Sequence, residues 1–91
     1  MDFNEYQMLA EQTAIYDNDF YPVASLMVEA AELADLFVKP VLRGDAVDVD
    51  RTKLVSEAGD VLWNLAVLLK RNNIKLEDVA VFNIEKLKSR M

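Results

Sequence analysis

Apolar positions recur every three or four residues through most of the chain, the spacing of one face of an α-helix, and no segment reads as a convincing strand. A first helix is predicted from about Asp2 to Tyr16, with Phe3, Tyr6, Ala10 and Thr13 on one face and Asp2 placed to cap it. The stretch "YDNDFYP" interrupts the pattern. Pro22 suits the first turn of a second helix, in which Val23, Leu26, Met27, Ala30, Leu33, Ala34 and Phe37 keep helical spacing until Pro40 kinks or ends it. "RGDAVDVD" reads as a polar connection with a Gly44-Asp45 turn, and Asp50 then caps a third helix that runs to the Asn72-Asn73 pair. A fourth spans about Leu76 to Ser89. With only two Gly and two Pro, and no internal repeat or linker, residues 1–91 are expected to form one all-α, four-helix bundle domain.

The third helix carries a contradiction. Between Ala58 and Leu69 nearly every side chain is apolar, so the helix must be covered on most sides. Yet Lys53, Glu57, Asp60 and Asn64, spaced four, three and four apart, fall on one narrow stripe. The second helix repeats the arrangement, with Ser25, Glu29 and Glu32 sharing a stripe inside "SLMVEAAELADL". A solvated face with an ordinary Lys53–Glu57 surface pair is the plain alternative. Against it stand Val61, Leu62, Trp63 and Leu65, which a surface helix would not wrap around its charges. Gly59, in mid-helix between Glu57 and Asp60, costs about 1 kcal/mol relative to Ala, and either packing or a close approach of another helix or of substrate would explain it.

Composition removes several kinds of chemistry. The chain has no Cys, hence no disulfide and no thiolate metal site, and no His, hence no imidazole base, no Ser-His or Cys-His pair and few routes to zinc. A formal charge of −6 argues against a nucleic-acid partner, which calls for clustered Lys and Arg. "MDFNEYQ" is acidic where a signal peptide is basic, and no apolar run is long enough for a bilayer, so no membrane partner and a cytoplasmic location are expected. At 91 residues the chain is near the lower limit for burying a sufficient core alone, which points to a homo-oligomer, dimer or tetramer.

Four carboxylates facing one another in a partly dry cleft repel and cannot all stay ionised without a counter-charge. A divalent cation supplies it, and oxygen-only ligands favour Mg²⁺, with Mn²⁺ as the substitute, over zinc or iron. A di-iron bundle would need Glu-x-x-His pairs, which this chain lacks. Mg²⁺ held by carboxylates keeps positions open for phosphate oxygens. In "NIEKLKSR", Asn83, Lys86 and Arg90 form a polar stripe suited to phosphate, although Lys86 and Arg90 would equally complement a helix C-terminus.

The combination of "EAAE" (Glu29 to Glu32), "EAGD" (Glu57 to Asp60) followed by "VLW", and then "NIEKLKSR" resembles the MazG-like family of the all-α nucleoside triphosphate pyrophosphatase superfamily, over almost the whole chain. The resemblance implies a MazG-like bundle completed by oligomerisation. It also implies Mg²⁺-dependent hydrolysis of a nucleoside triphosphate, (d)NTP, to the monophosphate and pyrophosphate, with deoxynucleotides mildly preferred. By motif position Glu29, Glu32, Glu57 and Asp60 become metal ligands, and Lys53, Lys86 and Arg90 become phosphate partners. Glu32 and Lys53 are the expected catalytic pair, Glu32 orienting the attacking water; Asn64 and Asn83 join the substrate contacts. Ala31 and Ala58 stand where many relatives have Gly and Leu, which leaves the ligands intact and the subfamily open. Phe3, Tyr6, Tyr16, Phe20, Tyr21 and Trp63 are either base-stacking groups or core. The alternatives are a dUTP hydrolase or phosphoribosyl-ATP pyrophosphatase of the same superfamily, and a non-enzymatic helical interaction module.

Overall fold

A computed structural model describes residues 1–91 as four helices and no strand: α1 (Phe3–Gln12), α2 (Phe20–Leu42), α3 (Arg51–Arg71) and α4 (Leu76–Ser89). Several boundaries have a local cause. Asp2 Oδ1 accepts the Glu5 N–H at 2.8 Å and Asp50 Oδ1 the Thr52 N–H at 3.0 Å, so both expected caps form. The start of α2 is capped by Asn18, whose Oδ1 accepts the Tyr21 N–H at 2.8 Å; the helix therefore begins two residues before Pro22. Both α2 and α3 end in a left-handed residue, Gly44 at φ 77° and Asn73 at φ 60°. Beyond each, an N–H closes back on the last turn, Asp45 to the Pro40 carbonyl (2.8 Å) and Ile74 to the Leu69 carbonyl (2.9 Å).

Two expectations need correction. Of the two outcomes expected at Pro40, a kink or an end, the end does not occur, since α2 continues to Leu42. The first helix stops at Gln12 rather than Tyr16, because tertiary contacts take over the next turn. Thr13 Oγ1 donates to the Ala10 carbonyl (2.7 Å) and accepts the Trp63 Nε1–H of α3 (2.7 Å). Tyr16 packs on Tyr21 (centroids 4.3 Å apart) and edge-on to Trp63 (6.0 Å). Arg71, at the end of α3, lies 4.6 Å from the centre of the Tyr16 ring and donates to the carbonyls of Asn18 (2.8 Å) and Tyr16 (3.1 Å). Glu11 and Asp19 flank its guanidinium at 3.7 Å each. Residues 14 to 19 are thus folded onto α3 as irregular chain. These contacts also account for Tyr16, Tyr21 and Trp63 as a packed aromatic cluster.

The helices are not evenly shared. α2 and α3 form the most extensive pair, α1 packs on α3, and α4 packs on α1 and α3 without contacting α2. Ala10, Ala66, Val67 and Leu76 are the buried apolar centre. Gln7, 4% exposed, is its polar pin. Its Nε2 donates to the carbonyls of Ala66 (3.1 Å) and Ile74 (2.9 Å), and its Oε1 accepts the Leu76 N–H (3.1 Å). One side chain from α1 therefore satisfies backbone groups of α3, of the α3–α4 turn and of the first residue of α4.

Only seven of the 91 residues are buried, too few for a chain that must hold itself together without help. The exposed apolar surface is organised. On α2, Met27, Ala31, Ala34, Val38 and Val41 are all exposed at spacings of four, three, four and three, on the side of the helix opposite Glu29 and Glu32. On α4, Phe82, Ile84 and Leu87 are exposed as well. α2 is inverted relative to a normal surface helix, with charge turned toward its neighbour and an apolar stripe turned away.

Gln7→Leu keeps the bulk, strands the Ile74 carbonyl and the Leu76 N–H, and removes a second bond to the Ala66 carbonyl. It should cost about 2–4 kcal/mol, read as a lower urea midpoint with an unchanged slope. A midpoint within error of wild type would mean that Gln7 does not pin the three elements.

Candidate functional site

The contact between α2 and α3 brings the two acidic stripes face to face. One carboxylate oxygen each from Glu29, Glu57 and Asp60 lies within 4.8 Å of the others, a group able to hold a metal ion. Glu29 and Glu57 are half-buried and Asp60 is exposed, so the cluster opens to solvent on the Asp60 side. Oε2 of Glu29 and Oε2 of Glu57 are enclosed with no donor in reach. Carboxylates that converge this closely, two of them with an enclosed and unpartnered oxygen, offer the all-oxygen ligand set that fits a hard divalent cation. Desolvation pushes the Glu29 carboxyl above the usual carboxylate range. A hydrogen bond with Glu32 and the negative charges of Glu32, Asp60 and Glu57 push it further the same way.

Glu32 is exposed beside Glu29 and stands outside the group of three. Asn64 is 2% exposed; its Nδ2 donates to the Asp60 carbonyl at 2.8 Å, and its Oδ1 is buried without a donor. Lys53 is exposed and makes no ion pair, so the surface pair with Glu57 does not form. A Cβ built on Gly59 would meet nothing within 4 Å, so no element of this chain makes a close approach there. Asn83, Lys86 and Arg90 lie on the exposed part of α4, a helix that does not touch α2. From α1, Tyr6 comes near enough to the cluster that Asp60 adds to burial in raising its phenol. Phe3, Tyr6 and Leu62 line an open apolar hollow of about 420 Å³ there.

A second opening was missed in the residue pattern. Between the end of α2 and the start of α3 lies a cleft of about 460 Å³ whose walls include Glu32, Lys39 and Arg43 from α2 and Lys53 and Glu57 from α3. The signal was present: Lys39 and Arg43 continue the stripe of Glu29 and Glu32 at helical spacing.

An all-helical fold with a carboxylate cluster between its two longest helices defines a candidate metal-dependent site, and comparison with known proteins supplies the family. Residues 22–91 match the MazG nucleotide pyrophosphohydrolase domain, and the chain belongs to that family. It is 37% identical to the Gene 37 protein of Mycobacterium phage L5, over 93% of this chain and 84% of that protein. A shorter match, 53% identical over 34 residues, is to phosphoribosyl-ATP pyrophosphatase 1 of Rhodopseudomonas palustris, covering 37% of this chain and 32% of that one. No solved structure matches.

The raised Glu29 carboxyl has a consequence for stability. A carboxyl whose folded pKa lies above its unfolded one contributes stability that is complete below the unfolded value and is lost as pH rises through the folded value. In metal-free buffer Glu29→Gln should therefore raise the melting temperature more at about pH 7 than at about pH 5. A difference that is the same at both pH values would show that its neighbours do not raise the Glu29 carboxyl.

Proposed function

We propose that the chain is a Mg²⁺-dependent nucleoside triphosphate pyrophosphohydrolase. Water cleaves the anhydride between the α- and β-phosphates of a (d)NTP, giving the monophosphate and pyrophosphate. The observation that carries the reading is the convergence of Glu29, Glu57 and Asp60 oxygens within 4.8 Å in a chain of this family. Glu29, Glu57 and Asp60, with Glu32 beside them, would hold the metal ion, and Mn²⁺ would substitute for it. The ion supplies charge neutralisation for the phosphates. Glu32, exposed at the rim, orients the attacking water and takes its proton. Lys53, one turn from Glu57 and unpaired, meets the phosphates, and the charge developing on the departing pyrophosphate is stabilised by fixed cations. Asn64, buried beneath the site, braces the Asp60 end through its bond to the Asp60 carbonyl and would meet substrate only if the site opened. Deoxynucleotides are the preferred class within this reading.

A homo-oligomer, dimer or tetramer, accompanies it. The 4-3-4-3 apolar stripe of α2 has the form of a helix–helix seam, and Met27 within it is 72% exposed. A second copy covers that stripe, on the side away from the site; since α4 stays clear of α2 in its own chain, Asn83, Lys86 and Arg90 would reach the phosphates only from a copy packed elsewhere, as a tetramer allows. Light scattering at micromolar concentration should give a mass of two or four chains; a monomer would remove this part.

The match to phosphoribosyl-ATP pyrophosphatase 1 supports a second reading, in which the triphosphate of phosphoribosyl-ATP is the one cut. A panel of ribo- and deoxynucleoside triphosphates with phosphoribosyl-ATP, assayed for pyrophosphate, separates the two. Pyrophosphate should appear only with Mg²⁺ or Mn²⁺, and release of inorganic phosphate instead would contradict both readings. Glu57→Gln should be nearly inactive and should lose the Mg²⁺-dependent rise in melting temperature. In wild type that rise corresponds to about 2.7 kcal/mol at a hundred times the dissociation constant. In the same assay Lys86→Ala and Arg90→Ala should raise KM or lower kcat while the fold persists.

A further inference from the structure

We propose that the cleft between the end of α2 and the start of α3 is the seat of the β- and γ-phosphates, with Lys39 and Arg43 joining Lys53 as its cationic walls. The inference rests on the pyrophosphohydrolase reading and gives the substrate a direction within the site.

The charge order along both helices carries it. On α2 one stripe runs Glu29, Glu32, Asp35, Lys39, Arg43, so the sign changes within the four residues from Asp35 to Lys39, about 6 Å of helix. On α3 the matching stripe runs Lys53, Glu57, Asp60. The cleft brings the cationic parts of both stripes together with Glu32, Asp35 and Glu57 in one opening of about 460 Å³. The site is therefore polar end to end, with anionic ligands at mid-helix and three cations next to them. A polyphosphate bound to a metal at the carboxylates leaves its far end among those cations only if it points this way. The nucleoside then extends from the opposite side, past Asp60.

The cations are free to take part. Lys39 pairs with Asp35 at 3.7 Å and Arg43 with Asp45 at 3.4 Å, each with two-thirds of the cation's side chain exposed, and Lys53 pairs with nothing. Exposed pairs of this kind hold their partners weakly, so a phosphate oxygen displaces the carboxylate at little cost. Arg43 adds a planar fork suited to two phosphate oxygens. The competing role, in which Lys39 and Arg43 only offset the negative C-terminal end of α2, predicts no dependence of phosphate binding on them.

The test is calorimetric binding of pyrophosphate in the presence of Mg²⁺, which needs no turnover. Wild type should bind it, and Lys39→Ala/Arg43→Ala should weaken binding tenfold or more. The charge-preserving pair Lys39→Arg/Arg43→Lys should stay within a few-fold of wild type. The Mg²⁺-dependent melting shift should be the same in all three, because the carboxylates are untouched. In turnover the alanine pair should raise KM for the triphosphate while inhibition by the monophosphate, which lacks the β- and γ-groups, does not change. Equal pyrophosphate affinity in wild type and the alanine pair, or no affinity in wild type, overturns the seat. Failure of the pyrophosphohydrolase reading shows separately, as no pyrophosphate released from any member of the nucleotide panel.

Discussion

The arrangement of this molecule depends on two helices that pack with their carboxylates toward each other. Glu29 on α2 and Glu57 and Asp60 on α3 converge within 4.8 Å, and two of the oxygens are enclosed with nothing to donate to them. Like charges at that distance oppose the helix pair that contributes most to the fold. The conflict shows at Glu29, whose carboxyl is driven above the usual carboxylate range by desolvation, by Glu32 and by the other acidic groups. A bound cation would meet it fully. A cation held there would couple stability to binding through the same side chains.

Turning charge inward on α2 has a cost on its other face. The helix has a fixed angular budget, and with Glu29 and Glu32 directed to α3, Met27, Ala31, Ala34, Val38 and Val41 are left outside. The remaining core is small, built from Ala10, Ala66, Val67 and Leu76 and secured by hydrogen bonds from Gln7 and by the Arg71 clasp on Tyr16 and Asn18. These polar fastenings hold α1, the irregular segment and the start of α4 to α3, while α2 is attached across the acidic seam. A second copy packed on the outer stripe would stabilise the helix pair without disturbing the site, which faces the other way.

Much of the plan was legible in the residue pattern. Asp2 and Asp50 are caps because a short carboxylate before a helical run accepts free N–H groups whatever surrounds it. The limits of α3 and α4, the turn at Gly44 and the stop at Asn73 follow from equally local chemistry. The stripes Glu29–Glu32 and Lys53–Glu57–Asp60 were visible because helical spacing alone puts their members on one face. The end of α1 was not: Thr13 and Tyr16 keep helical spacing, but Trp63 and Arg71, more than 45 positions away, draw them off the helix axis.

Sequence by itself determined that there are four helices, which of their positions share a face, and that carboxylates rather than imidazoles or thiols must do any metal work, since those properties depend on the backbone repeat and on residue identity. Tertiary structure alone decided that the stripes of α2 and α3 meet, that Glu29 and Glu57 are half enclosed while Asp60 opens to solvent, and that Lys39 and Arg43 share a cleft with Lys53. It also decided that α4, with Lys86 and Arg90, stands apart from α2. The physical reason is that helical spacing fixes angles about one axis, whereas a site between helices depends on the register and rotation of one axis against another. Those are set by long-range contacts such as Gln7 with Ala66 and Leu76, which no local pattern encodes.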